Sequence, residues 1–276
     1  MPNTYFEARQ WAFSYLSEAD VNLILMTQHK WSYSQLILHL RDTMPDFEDF
    51  KTAVLRVRAG EPVQYVLGEA QFFGRTFMVD ERVLIPRLET EELIELILND
   101  SPITIQNVLD IGTGSGAIAV TLKSERPAWE ITASDISAAA LAVAQQNAAN
   151  NDVKLEFIAS DVFTNITESY DIIVSNPPYI AASETDIMDQ NVLDYEPHLA
   201  LFADNDGLAI YQAIARQLAS YLAPNGRAYF EIGLHQGPAV AELMQQSLPQ
   251  AQVDIIKDLS NHDRMIRVFN KQEKEL

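Results

Sequence analysis

Hydrophobic positions in the first sixty residues recur at near-helical spacing. Phe6, Trp11, Phe13, Tyr15 and Leu16 form one set, Val21, Leu23, Ile24 and Leu25 a second, and Leu36, Ile37, Leu38 and Leu40 a third. A fourth runs from about Asp46 through Val57, with Gly60 as its stop;. The pattern predicts four or five short helices in a small bundle, with the aromatic residues in its core. The stretch Gln71–Val79 then sets two short apolar arms around Gly74-Arg75, the signature of a β-hairpin;. From Glu89 onward the period changes. Apolar runs near 107–111, 130–135, 153–158, 170–175, 226–232, 251–257 and 264–270 alternate with helical patterns. Such alternation predicts an α/β fold with a mostly parallel sheet and ligands at the C-terminal edge of its strands. The chain accordingly divides into a helical region, 1–70, a hairpin linker, 71–86, and an α/β domain, 87–276.

The run 170–175 ends in Asn176-Pro177-Pro178-Tyr179. A planar nitrogen, in an amide or an aromatic amine, has its lone pair tied up in resonance. It becomes a nucleophile only when its hydrogens are held and it is drawn toward tetrahedral geometry. The Asn176 side-chain oxygen and the Pro177 main-chain carbonyl can supply two acceptors for one NH2 group. Two prolines restrict the backbone that aims them and donate no N–H of their own. The Tyr179 ring is expected to cover the flat group being held. Upstream, the strand 107–111 runs into Gly112-Thr113-Gly114-Ser115-Gly116 and then a helical pattern. Glycines allow close approach of a ligand, and amides at a helix start favour a carboxylate or phosphate. Asp135 ends the next strand, 21 residues beyond Gly114, where an acidic residue grips ribose hydroxyls;.

The glycines alone also fit a dinucleotide fingerprint, so a dehydrogenase is not excluded by them. Two features argue otherwise. Asp110, just before the first glycine, would repel a pyrophosphate and attract an ammonium. Hydride transfer also gives Asn-Pro-Pro-Tyr no task. Together these favour S-adenosylmethionine, whose methionine end carries both an ammonium and a carboxylate. Seven strands, the last inserted antiparallel, then fit the Rossmann-like sheet of a class I S-adenosylmethionine-dependent methyltransferase.

Charge narrows the partners. The 276-residue chain has a net charge of −20, unevenly spread: residues 1–80 hold seven basic and ten acidic side chains, residues 81–276 hold 12 and 29. No basic face of the kind that grips nucleic acid is visible, and the acidic half favours a cationic sulfonium cofactor and a basic protein partner. There are no cysteines, which excludes disulfides and thiolate metal sites and fits a reducing compartment;. The five histidines show no metal-ligand spacing, so no metal is expected;. No signal peptide and no membrane-spanning stretch is read, and the expected location is the cytoplasm.

The motifs, in order, resemble one family. They are Gly60-Glu61-Pro62-Val63-Gln64-Tyr65, Phe72-Phe73-Gly74-Arg75, Leu84-Ile85-Pro86-Arg87 with Glu89-Thr90-Glu91, the glycine loop, Ser175 to Ile180, Tyr195-Glu196-Pro197, Asp206-Gly207-Leu208 and Glu231-Ile232-Gly233. The chain is similar to the PrmC/HemK family, the glutamine methyltransferases of peptide chain release factors. Asn-Pro-Pro-Tyr by itself is shared with DNA and RNA amino-methyltransferases acting on adenine or guanine, which stay the alternative reading. A non-catalytic cofactor-binding adaptor is a third.

The resemblance implies methyl transfer from S-adenosylmethionine to the side-chain amide nitrogen of the glutamine in a release factor's Gly-Gly-Gln loop, leaving S-adenosylhomocysteine. Asn176, which would also touch the cofactor, and Pro177 would hold the amide, with Tyr179 packing on its plane and Pro178 completing the substrate site. Gly112 to Gly116 would bracket the methionine portion of the cofactor, and Asp135 would take the ribose. Asp161 would sit near the adenine amino group, with Val162 against the ring. The helical region 1–70 would recognise the release factor body, with the enzyme a monomer. Three positions depart from the family pattern: Leu88 replaces a usual proline, Asn261 a common glycine, and Val162 an aromatic residue found in some members.

Overall fold

A computed structural model of the chain describes residues 2–270. They divide into two compact units, one of residues up to Glu69 together with Asp189–Tyr195, the other of Ala70–Met188 and the residues from Glu196 onward. The hairpin thus belongs with the α/β unit rather than standing as a linker. The segment 189–195, placed by linear division in the α/β domain, groups with the helices.

The first unit contains α1 (Tyr5–Ala12), α2 (Glu18–His29), α3 (Tyr33–His39), α4 (Phe47–Arg58) and α5 (Val63–Leu67). Side-chain caps start three of them. Thr4 accepts from the Glu7 amide, Ser17 from the Asp20 amide, and Ser32 forms a reciprocal capping box with Gln35;. Ala8, Val21, Ile24, Leu25, Leu36, Phe50 and Val54 are fully buried between them.

The second unit begins within a hairpin of β1 (Glu69–Phe72) and β2 (Arg75–Met78), followed by α6 (Leu88–Asp100), β3 (Asn107–Ile111), α7 (Ala117–Glu125), β4 (Glu130–Asp135), α8 (Ala138–Asn150), β5 (Glu156–Ala159) and β6 (Tyr170–Ser175). A short helix of the first unit, α9 (Gln190–Tyr195), interrupts it. The second unit resumes with α10 (His198–Leu201), α11 (Ala209–Tyr221), β7 (Leu222–Glu231), α12 (Gly237–Ser247), β8 (Ala251–Lys257) and β9 (Asp263–Asn270). Seven strands form one sheet in the order β5-β4-β3-β6-β7-β9-β8. All neighbours pair parallel except β9, which is antiparallel to both β7 and β8. The third strand begins at Glu156 and not 153, and β7 starts at Leu222, four residues ahead of the periodic run.

Alternation along the central strands feeds two cores. Val108, Ile172 and Val174 pack with Leu93, Ile97, Val120 and Trp129 on one face, while Leu109 and Ile173 pack with Tyr211, Ile214, Val240 and Met244 on the other;. A sheet buried on both faces reads as continuous apolar runs, as these strands do. The chain order reverses between β3 and β6. A ligand crevice opens beyond the carboxyl ends of the strands at such a point.

Candidate active site

A cavity of about 1210 Å³, counted with the space open at its mouth, lies at this reversal. Its wall includes Gly112–Ser115, Asp135, Asp161, Val162, Asn176, Pro177 and Pro178. Residues from the ends of four neighbouring parallel strands, β3, β4, β5 and β6, therefore meet in one place.

The glycine loop is held by main-chain bonds to its neighbour strand. The Gly112 and Thr113 amides both donate to the Ser134 carbonyl, at 2.8 and 2.9 Å. Gly112, Gly114 and Gly116 all have φ between +55° and +81°, a region that side chains disfavour;. At Gly116 a Cβ would also lie 3.1 Å from that of Ala144, so this glycine lets α7 and α8 approach. Asn147, fully buried on α8, ties the loop to the hairpin: its Nδ2 donates to the Ser115 and Met78 carbonyls, and its Oδ1 accepts from the Met78 amide at 2.6 Å.

Asp135 faces the cavity with both oxygens oriented. Oδ2 accepts from the Gly114 amide at 2.9 Å and Oδ1 from the Ser137 amide at 2.8 Å. Burial raises its pKa, and the amides of Ser137, Gly114 and Ile136 oppose the rise;. Three amides leave lone-pair capacity on the carboxylate for a hydroxyl. Asp161 is exposed at the mouth. Val162 has φ 49°, an outlier for a β-branched residue;. The Ser160 hydroxyl braces this turn, donating to the Val162 carbonyl and accepting from the Asn165 amide.

Asp110 and Tyr179 do not line the cavity. Asp110 is fully buried and not among the residues lining the cavity; it lies beneath the loop, where Thr113 Oγ1 donates to its Oδ2 at 2.7 Å. Burial pushes its pKa up to about 7, against the Thr113 hydrogen bond and with a further push from Asp135. It is a support of the loop, not an exposed receptor for an ammonium. Tyr179 likewise lies outside the lining. Its ring packs against the core formed with Tyr211 and Phe230, and burial lifts its phenol to about 12.

The remaining family motifs brace this wall. Glu196, almost wholly buried, accepts from the Ile85 amide at 3.2 Å and pairs with Arg87 at 2.5 Å, joining the Ile-Pro-Arg segment to Glu-Pro. Gln236 Nε2 donates to the Tyr179 carbonyl at 2.9 Å and the Asp206 carbonyl at 3.3 Å, while its Oε1 accepts from the Gly233 amide at 3.0 Å. Asn176 Nδ2 donates to Thr90 Oγ1 at 3.2 Å, and Thr90 in turn donates to Glu231 Oε2 at 2.6 Å. Sequence reasoning assigned no role to Asn147, Gln236 or Glu231. For Glu231 the available signals were its place in the motif Glu231-Ile232-Gly233 and its position closing the apolar run Ala228-Tyr229-Phe230. Of the three departures, Leu88 starts α6 and is exposed, and Asn261 adopts φ 66°, a left-handed conformation that asparagine tolerates better than most residues;.

The fit to S-adenosylmethionine rests on the donor set. A Cβ at Gly112 or Gly114 would meet no protein atom within 4 Å, leaving a cradle free beside the cavity. An oriented carboxylate, Asp135, suits vicinal hydroxyls, and Ile118, Ile136 and Val162 are apolar walls suited to a ring. The sheet with its inserted antiparallel strand, the glycine loop after β3, the acid closing β4 and the Asn-Pro-Pro turn after β6 define a class I S-adenosylmethionine-dependent methyltransferase. A methyltransferase from Pyrococcus furiosus shares the fold, with a TM-score of 0.53 at 15% identity over 79% of this chain and 96% of that one.

Residues 7–68 match the model of the PrmC N-terminal domain, and residues 88–199 that of the methyltransferase small domain. The chain is 42% identical to the release factor glutamine methyltransferase of Enterococcus faecalis over 96% of its own length and 99% of that protein's. It is 54% identical to the one from Lactococcus lactis over 77% and 79%. The chain belongs to the release factor glutamine methyltransferase family.

Proposed function

We propose that this enzyme transfers the methyl group of S-adenosylmethionine to the side-chain amide nitrogen of the glutamine in the Gly-Gly-Gln motif of peptide chain release factors, releasing S-adenosylhomocysteine. The observation that carries the reading is the presence of Asn176 and Pro177 on the wall of the same cavity as the glycine loop and Asp135. The naming of the relatives supplies the acceptor.

The cofactor supplies a methyl group already bonded to a good leaving group. The protein's task is therefore orientation, which can contribute on the order of 7 to 11 kcal/mol. Gly112–Gly116 hold the methionine end, Asp135 the ribose, and Asp161 with Val162 the adenine. Asn176 Oδ1 and the Pro177 carbonyl accept the two hydrogens of the glutamine NH2, so that its lone pair faces the cavity. Tyr179 acts from behind, by fixing the carbonyl that Gln236 grips, and does not stack on the amide. The helical unit takes the body of the release factor, since a single glutamine in a loop offers little to recognise. The enzyme acts as a cytoplasmic monomer without binding nucleic acid. Among the described residues no helix is long and apolar enough to cross a membrane.

The test is to incubate the enzyme with labelled S-adenosylmethionine and a release factor, DNA or RNA. Label is expected on the release factor alone, and lost when its Gly-Gly-Gln glutamine is replaced by alanine. Label on DNA or RNA would replace this reading with that of a nucleic-acid amino-methyltransferase. Binding without transfer to any acceptor would leave only the adaptor.

A further inference from the structure

Three polar side chains run inward from the cavity wall. Asn176 follows β6, Thr90 lies in the first turn of α6, and Glu231 closes β7. Thr90 and Glu231 are 4% and 1% exposed, and they meet directly. Thr90 Oγ1 lies 2.6 Å from Glu231 Oε2 and 3.2 Å from Asn176 Nδ2. A hydroxyl has one hydrogen, and an ionised carboxylate has none. The Thr90 proton must go to Glu231, so toward Asn176 the hydroxyl can offer only a lone pair. The end of the Asn176 amide facing Thr90 is then its NH2, and Oδ1 is the end left for a ligand.

We propose that Glu231, acting through Thr90, is a positioning residue that decides which end of the Asn176 side chain meets the acceptor nitrogen. The inference rests on the functional reading above, in which that nitrogen belongs to a primary amide and needs acceptors. A neutral Glu231 removes the constraint. Its own O–H can donate to Thr90, the Thr90 proton is then free for Asn176 Oδ1, and the amide turns its NH2 toward the substrate NH2, donor against donor.

The surroundings bring this switch into an accessible range. Burial pushes Glu231 up to about 7. The Thr90 hydroxyl, Arg264 on β9 and the Asn176 amide favour its charged form, and Glu89 on α6 disfavours it. Tyr179 faces it as a neutral phenol, and Tyr211 from α11 donates to its main-chain carbonyl at 2.6 Å. Turnover is therefore expected to rise as pH increases through about 7.

The experiment measures kcat, KM and the calorimetric Kd for S-adenosylmethionine across this pH range for the full-length enzyme and three variants, with release factor as acceptor. Thr90→Ser keeps the hydroxyl and is expected to retain wild-type turnover and its pH limb. Thr90→Val is expected to lose about tenfold or more in kcat, in keeping with the loss of one oriented donor or acceptor, with cofactor Kd nearly unchanged, whereas Glu231→Gln keeps an acceptor oxygen for Thr90 but no titrating carboxyl. Glu231→Gln should lose the pH limb. Wild-type turnover in Thr90→Val, equal damage in Thr90→Ser, a parallel loss of cofactor binding, or a limb that persists in Glu231→Gln would each overturn the proposal. Should Glu231→Gln not fold, the two Thr90 variants decide the matter. If the wild-type enzyme labels a different acceptor, the functional reading fails while the same variant comparison on that acceptor still judges the switch.

Discussion

Gly207 offers a sharp test of how the catalytic wall is held. Its φ is +78°, and a Cβ added there would lie 2.0 Å from the Tyr179 carbonyl oxygen, 2.8 Å from its carbon and 2.6 Å from Gln236 Nε2. These are backbone atoms and a hydrogen-bonded amide, not a side chain that can swing away. Gly207→Ala must therefore push the Tyr179 peptide outward by roughly 1 Å, a displacement that can cost about a hundredfold in rate. The left-handed conformation costs alanine about 1 to 2 kcal/mol. Losing the Gln236 to Tyr179 hydrogen bond adds about 1 kcal/mol, and overpacking about 1 to 3 kcal/mol. The total, about 3 to 6 kcal/mol, corresponds to a fall in Tm of at least about 6 °C for a unit of this size. Gly74→Ala is the control. Its φ is +70°, but an added Cβ meets nothing within 4 Å, so only the conformational cost applies. Calorimetric melting and release factor methylation should separate the two. A Gly207→Ala enzyme that melts no lower than Gly74→Ala and turns over at the wild-type rate would refute the reasoning.

Asn176→Ala should lower kcat by about two to three orders of magnitude, the cost of one oriented group at about 2.7 to 4 kcal/mol, with cofactor Kd by calorimetry largely kept; lost binding with normal turnover would reverse the assignment. Asp135→Ala should weaken S-adenosylmethionine binding by about 1.5 to 3 kcal/mol, the range for hydrogen bonds to a charged group, and an unchanged Kd would remove Asp135 from the site. Asp110 and Glu231 are carboxyls raised to about 7, so between their unfolded pKa values and about 7 the folded state binds more protons than the unfolded one, and stability falls as pH rises through that window;. The net negative charge acts in the same direction, so the decisive measurement is that Glu231→Gln loses less stability between pH 5 and 8 than wild type, by roughly one to a few kcal/mol. Finally, a chain starting at Gln71 should still bind cofactor but methylate an intact release factor much more slowly than a short Gly-Gly-Gln peptide; equal losses on both, with the fold checked by circular dichroism, would show that the helical unit is not the docking module.

Local pattern was enough for the elements and for much of the wall. The strands near 107–111, 130–135 and 170–175 follow from apolar runs of strand length, and the turns that close the first and the last follow from glycine and proline, whose backbone limits are intrinsic to the residue;. The residues at and just beyond the ends of those strands are consequently expected at one sheet edge, and Gly112, Asp135, Asn176 and Pro177 share a cavity. The inserted antiparallel β9 was also legible, from strand count and the sheet type it fits.

What the pattern left open was the direction each side chain takes, because that is decided by partners far along the chain. Asp110 and Asp135 both sit near strand ends, yet Asp110 turns beneath the loop to Thr113 while Asp135 turns to the cavity and the Gly114 amide. Tyr179 follows the prolines directly, and its ring packs against the core that contains Tyr211 of α11. Glu231 is 141 residues from the threonine that receives its influence, and Thr90 is 86 from Asn176. Sequence by itself determined the helical region, the α/β alternation, the glycine loop and the Asn-Pro-Pro turn, since these depend on backbone preference and on periodic burial. Only the tertiary structure decided which carboxyls lost water, which amide end faces the cavity and which glycine cannot carry a methyl group. Burial and hydrogen-bond polarity are set by every group that closes around an atom, and no short stretch of chain contains them all.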